Sequence, residues 1–341
     1  MQWVIFLKKA FLISGVFISG LIGAGFATGS EIFFYFSKFG NKGYMGIALS
    51  ALLFALLQYE IILQSQRLCA HTIGDYLKKI MPNRLAAVIG IFTYVFMLFI
   101  LSAMLSGFGE LVYLVFGIKK SVGALIMLMI TAFILSKGYG FFVKSESVFF
   151  VMIVSVMIFV FIYLYAFFNP GIQTFFSHNS WSVSAVSYTG YNMITGAAVL
   201  CILSGTAKPK AVFDASCITF IVLTVIMSAA AGIIAMYKNT VAYSSMPLVE
   251  ICAYCSEPLA LIYSFAVFLS MLTTAVSAGY PLCDFVCGSF KTKKCRLIIY
   301  AAAYAISGTE FSFIVDKLYR ISGFASLIFL FFVVKEKIIN N

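Results

Sequence analysis

Apolar runs recur from one end of the chain to the other, and this repetition constrains the fold more than any single motif. Runs of roughly 17–25 residues are long enough to cross a hydrocarbon core of about 30 Å as helices. Hydrophobic residues make up 62% of the 341 and charged residues 10%, against about 25% charged in soluble domains. Mean hydropathy is +1.05. No stretch is left over for a soluble domain, so the expected fold is an all-α membrane protein whose main partner is the lipid bilayer. The net charge of +11 does not indicate nucleic acid, because the basic residues lie in short loops between apolar runs, where Lys and Arg set topology.

Ten runs can be drawn, at about 10–37, 43–66, 85–116, 121–136, 146–168, 180–206, 212–236, 259–282, 296–312 and 318–335. The first follows Lys8 and Lys9 and is too long for a signal-peptide core, so it reads as a span. Pro170 and Gly171 fall near the midpoint and allow five spans plus five in a single transmembrane domain, with one half at about 10–168 and the other at about 180–335. With the N-terminus placed in the cytoplasm, sixteen of the 23 Lys and Arg fall on that side and seven on the other. The positive-inside rule then puts both termini in the cytoplasm of a multi-pass cell-membrane protein, with the loop around His178 outside. The 71–84 loop suits a short interfacial helix, and the nearly uncharged 240–258 loop is either a connector or an outer lid. Cys252 and Cys255 form a C-x-x-C in that loop; with no second pair or nearby His to complete a zinc site, small core residues are the simpler reading, and a disulfide stays open.

The first span holds Gly15, Gly20, Gly23, Gly25 and Gly29, followed by Glu31. Each interior Gly costs a helix about 1 kcal/mol relative to Ala. Gly25-x-x-x-Gly29 fits close helix packing, but a carboxylate in a span marks a functional site. If Glu31 instead complements a helix dipole, the helix must restart beside it. Both readings imply a break. The sixth span is the most polar, with Tyr188-Thr189-Gly190-Tyr191-Asn192 at its centre, and Gly190 offers a second bend. Interrupted helices at matching positions in two halves point to a transporter's solute site. The candidate solute-binding residues are Gly23, Ala24, Phe26 and Glu31 in the first span, and Tyr188, Thr189, Gly190, Tyr191 and Asn192 in the sixth. In the eighth span Ser270, Thr273 and Thr274 share one helix face and offer oxygens to a small hard cation; alternatively they bond back to their own helix. Glu60 and Glu110 are the remaining carboxylates read within spans.

The run Gly23-Ala-Gly25-Phe-Ala-Thr28-Gly29-Ser-Glu31, with Phe39-Gly40 and Gly43 after it, resembles the opening of the YkvI-like membrane proteins, within the amino acid–polyamine–organocation superfamily. That resemblance implies a LeuT-type fold: ten helices in two inverted five-helix repeats, with helices 1 and 6 interrupted around the solute. It also implies a sodium site formed by the carbonyls of Gly25, Thr28 and Ser270 and the hydroxyls of Thr273 and Thr274. Superfamily members that use a proton replace the sodium with a lysine ammonium, for which Lys144 is the candidate. A second-helix carboxylate bracing the sixth helix falls on Glu60. Phe26 stands where members that bind free amino acids usually have a small polar turn, and none of them requires a carboxylate at the Glu31 position.

The expected function is ion-coupled transport of a small organic solute, such as an amino acid or a related amine or carboxylate, with Na+ as the coupling ion ahead of the proton and no other cofactor. The rivals are a channel and a non-transporting sensor, which would need a filter or an appended signalling domain. An enzyme would need a catalytic cluster, but only His71 and His178 are present, both in loops, and no hydrolase motif appears.

Overall fold

The computed structural model describes residues 2–168, 171, 180–205, 207–238, 244, 246–290, 294–309 and 325–338. His178 and most of the midpoint linker lie outside these residues, as does the beginning of the tenth run.

The first run is three helices: α1 (Gln2–Leu21), α2 (Ala24–Ala27) and α3 (Ser30–Tyr35). Next come α4 (Asn41–Arg67), the short α5 (Ile73–Ile80), α6 (Asn83–Phe116), α7 (Lys120–Ser136) and α8 (Tyr139–Phe167). The second half holds α9 (Trp181–Ser204), α10 (Pro209–Met236), α11 (Pro247–Cys255), α12 (Glu257–Phe290), α13 (Cys295–Ile306) and α14 (325–338). Apart from the breaks in the first run and a few residues at run ends, each apolar run falls on helix where it is described. Among the described residues, six helices, α4, α6, α8, α9, α10 and α12, are long and apolar enough to cross a membrane by length and composition.

α4 packs against α9 and α10, α1 against α8 and α10, and α12 against α6 and α8. The outward faces stay apolar: Val88, Ile91, Leu114, Ile162, Phe167 and Ile221 are all exposed. Water would penalise such a surface, whereas lipid tails solvate it.

α5 is a short helix in the 71–84 loop, where one was expected, with one buried face. Thr72 caps it, its hydroxyl oxygen accepting the Asp75 N–H at 3.1 Å. Ile73, Tyr76, Leu77 and Ile80 are buried, while Lys78 and Lys79 turn outward. The Tyr76 hydroxyl donates to Gln64 Oε1 at 2.5 Å. Burial pushes this phenol above its ordinary range, so it remains a neutral donor.

The expected break in the sixth span does not form, because α9 runs unbroken through Gly190. The glycine serves packing instead. A methyl group there would meet Ser326 of α14 at 2.8 Å from Oγ and 3.0 Å from Cβ. Gly190→Ala is therefore expected to destabilise the protein by about 1–3 kcal/mol, the usual cost of overpacking, and Ser326→Gly should restore much of the loss. Detergent melting curves of the single and double variants check this.

α8 begins at Tyr139, earlier than the fifth run was drawn, so Lys144 joins Glu146 within the helix. They lie two residues apart, on opposite faces. Lys144 is exposed along the groove between α1 and α8, and Glu146 is fully buried. Lys144 is thus not the internal ammonium that the resemblance suggested.

Candidate functional site

Two breaks interrupt the first helix, and each frees backbone groups that must find partners. The first lies at Ile22 and Gly23, between α1 and α2. The second lies at Thr28 and Gly29, where Gly29 takes φ +85 in the left-handed region before α3 begins. At the first break, Thr273 Oγ1 on α12 donates to the Ser19 carbonyl at 2.9 Å and to the Ser270 carbonyl at 2.9 Å. Thr274 Oγ1 donates to the Gly20 carbonyl at 3.4 Å. At the second break, the Tyr263 hydroxyl takes the Ala27 carbonyl at 2.7 Å and the Leu248 N–H of α11 takes the Thr28 carbonyl at 2.9 Å.

This pairing corrects the expected cation ligands. The eighth-span threonines meet Ser19 and Gly20, not Gly25 and Thr28. The Gly25 carbonyl instead accepts the Ser30 hydroxyl at 3.3 Å and the Thr28 hydroxyl at 3.4 Å. The reason is the position of the first break, which precedes Gly25 and ends α1 directly against α12.

Glu31 is buried at 6% exposure in the first turn of α3. Its side chain folds back over α2, and a methyl on Gly25 would lie 2.6 Å from Glu31 Cγ. That position tolerates only glycine while Glu31 holds this pose. The Tyr188 phenol on α9 lies beside the Glu31 carboxylate. Tyr188 is the hub of an aromatic cluster: its ring centroid is 5.2 Å from Tyr35, 5.0 Å from Phe36, 5.8 Å from Phe54 and 5.6 Å from Tyr191. Ala24 and Phe26 are buried in the same core.

The rest of the sixth-span stretch bonds within its own helix: Thr189 Oγ1 donates to the Ala185 carbonyl at 3.0 Å and Asn192 Nδ2 to the Tyr188 carbonyl at 3.0 Å. Glu31, Tyr188 and Tyr191 therefore come together, while Thr189 and Gly190 serve the helix and its packing.

α11 covers the second break. A methyl on Gly29 would meet Leu248 Cγ at 2.7 Å. The 240–258 loop is thus more than a connector at this end. Cys252 and Cys255 are both free thiols, with Cys255 Sγ 3.3 Å from the Tyr237 hydroxyl. On the α5 side, a cavity of 350 Å³ opens between Thr72, Tyr94, Ile202, Pro281, Asp284 and Phe285. A pocket of only 20 Å³, room for about one water molecule, lies deeper, between Phe17, Gly20, Thr195, Thr274 and Ser277.

Glu60 does not brace α9. It pairs with Lys337 of α14 at 2.9 Å and accepts from Gln64 Nε2 at 3.0 Å. Glu110 pairs with Lys120 across the α6–α7 connection at 3.6 Å.

Sequence reading missed Glu146. Its carboxylate Oε2 accepts the Ser19 hydroxyl at 2.5 Å, directly beside the first break. The signal was present: Phe142, Phe150, Ile153 and Met157 share one buried face with it at helical spacing. The fifth run as drawn starts at 146, which puts this carboxylate at the very edge of the span.

No family model matches the chain. It is 27% identical over 322 residues to the uncharacterized membrane protein YkvI of Bacillus subtilis, covering 92% of each chain. The manganese transporter of Eremococcus coleocola superposes with a TM-score of 0.61 at 15% identity, over 98% of this chain and 77% of that one. Mhp1, a nucleobase-cation-symport-1 family transporter, gives 0.62 at 14% identity over 87% and 70%. MhsT, solved with L-phenylalanine, gives 0.67 at 13% identity over 93% and 86%. The chain is a multi-pass membrane protein with the LeuT-like fold that these transporters share.

Proposed function

We propose that the chain is a secondary transporter for a small organic solute, coupled to an ion gradient, with sodium the ion ahead of the proton. The observation that carries this reading is the buried Glu31 carboxylate of the broken first helix, which lies beside the Tyr188 phenol of α9 against an aromatic wall. A carboxylate beside π-faces attracts an ammonium group, both by charge and through the ring quadrupoles. The solute class is therefore an amino acid or a related amine. Among the described residues, no group of three or more His, Cys, Asp and Glu gathers in one place, so the geometry favours an organic solute over a divalent metal cargo. In this reading the ten runs form two inverted five-helix repeats with both termini cytoplasmic, α11 closes the outer end, and the α5-side cavity is the cytoplasmic vestibule.

Sodium fits the chemistry of the first break. Ser19, Gly20, Ser270, Thr273 and Thr274 offer neutral oxygens from two helices, and an ion held there ties α1 to α12. A solute that prefers the same arrangement must tighten sodium binding by the factor by which sodium tightens the solute.

The test is a thermal-shift screen of amino acids, amines and carboxylates in detergent, in sodium and in choline. A solute that binds the folded protein raises its melting temperature. An amine-bearing ligand whose shift is larger in sodium supports the reading. Ligands lacking any amine that stabilise equally in both salts would contradict the solute class and the coupling.

A further inference from the structure

A lysine on the lipid-facing side of a membrane helix must reach water or find an anionic partner. Lys144 lies in the second turn of α8 and is exposed. The ion pairs among the described residues join Arg67, Lys120 and Lys337 to carboxylates, and none involves Lys144. Glu146, two residues on, is buried on the opposite face. Lys144 instead lines a groove of 500 Å³ between α1 and α8. Gly140, Lys144, Ser147 and Val151 bring one face of α8 to this groove, and Phe11 and Leu12 supply the α1 wall. Lys144 is the one lining residue that carries a charge. The Ser147 hydroxyl is already engaged, donating to the Val143 carbonyl at 2.8 Å.

From Gly140 to Met152 the groove follows α8 for about 18 Å at about 1.5 Å per residue. That is about the depth of one leaflet, half of a hydrocarbon core of about 30 Å. α8 has 29 residues and is about 43 Å long, so its first turns reach beyond the hydrocarbon to the level of the headgroups. The charge therefore sits at the mouth of the groove. Deeper along α8, Val148, Val151 and Met152 are apolar and exposed. Cation first and apolar floor behind it is the order of groups that a phospholipid presents in reverse charge.

We propose that the groove between α1 and α8 binds an anionic phospholipid, its phosphate on Lys144 and one acyl chain lying along Phe11, Leu12, Val148 and Val151. Basic pockets between membrane helices suit anionic headgroups. A zwitterionic lipid carries its own cation beside the phosphate and gains less from the lysine. A free phosphate ion has nothing to cover the apolar floor. The bound lipid touches both helices, so it braces α1 against α8 from the bilayer side, while the Ser19–Glu146 hydrogen bond joins the same helices from within. In the topology proposed above, Lys144 faces the cytoplasmic leaflet, where anionic lipids give the surface its negative potential. The site itself does not depend on the transport reading.

The experiment is native mass spectrometry of the purified full-length protein in detergent, titrated with dioleoyl phosphatidylglycerol or dioleoyl phosphatidylcholine. It reads the dissociation constant of the first bound lipid, and melting temperature is measured on the same samples. Phosphatidylglycerol should bind saturably, more tightly than phosphatidylcholine, and raise the melting temperature, whereas inorganic phosphate should not. Lys144→Gln should weaken phosphatidylglycerol about fivefold, the factor that one near-surface lysine contributes, and leave melting without lipid unchanged because the side chain is exposed. Val151→Trp fills the groove and should weaken both lipids, and it carries the comparison should Lys144→Gln not fold. Lys137 is exposed and outside the groove, so Lys137→Gln should bind as the unaltered protein does. Equal affinity of the unaltered protein for the two lipids would overturn the proposal, as would a Lys144→Gln protein that keeps its preference for phosphatidylglycerol. An equal loss in Lys137→Gln would replace the groove with a diffuse surface field. Stabilisation by inorganic phosphate as large as that by phosphatidylglycerol would make Lys144 a phosphate site and overturn the lipid assignment.

Discussion

Glu31→Gln is expected to weaken binding of an amine solute by about ten- to hundredfold and to stop its uptake, while leaving the fold intact. The magnitude follows from losing a charge-assisted hydrogen bond, about 1.5–3 kcal/mol, at 1.4 kcal/mol per tenfold in affinity. The fold should survive because the amide keeps the shape of the carboxylate. The amide can still sit beside the Tyr188 phenol, and its stem can still lie over Gly25. Melting temperature and solute affinity are measured on the same preparation. Unchanged melting with lost affinity supports a binding role. Unchanged affinity for the amine solute would reduce Glu31 to a carboxylate that complements the start of α3.

Gly29→Val should produce the largest structural effect. Gly29 holds φ +85, a conformation that costs an L-residue about 1–2 kcal/mol, and a β-branched residue suffers more. A new side chain there also collides with Leu248, whose Cγ would lie 2.7 Å from the added carbon. Overpacking of this kind adds about 1–3 kcal/mol. The summed loss is about 2–5 kcal/mol, centred on the second break and the α11 cap. Leu248→Ala separates the two causes. It should relieve the collision in a Gly29→Ala background and leave the backbone strain in place. Complete rescue by Leu248→Ala would show that only the collision matters and that the left-handed turn is not required.

The large features were legible because they come from runs of residues. Helices at all ten apolar stretches follow from hydropathy alone, and the break in the first span follows from five glycines ahead of a carboxylate. The position of that break was not legible. Glycines at 20, 23, 25 and 29 are equivalent to any local rule, and only packing decides that α1 stops at Leu21, where Thr273 and Thr274 can take the Ser19 and Gly20 carbonyls. Gly190 shows the same ambiguity resolved the other way. A glycine among polar residues reads as a bend, yet here it admits α14. Glu146 was hidden at the edge of the fifth run, drawn from 146, and only the buried periodicity of α8 separates the exposed Lys144 from the buried carboxylate two residues on.

The central claim, coupled transport, is tested most directly in proteoliposomes. The solute found by thermal shift is supplied outside, with an inward sodium gradient imposed at equal pH and zero membrane potential. Saturable accumulation above the outside concentration is expected. It should collapse when sodium is equalised across the membrane and be absent in Glu31→Gln vesicles. Flux that rises linearly with solute concentration and never exceeds equilibration, whatever the sodium gradient, would contradict the account and point to a channel.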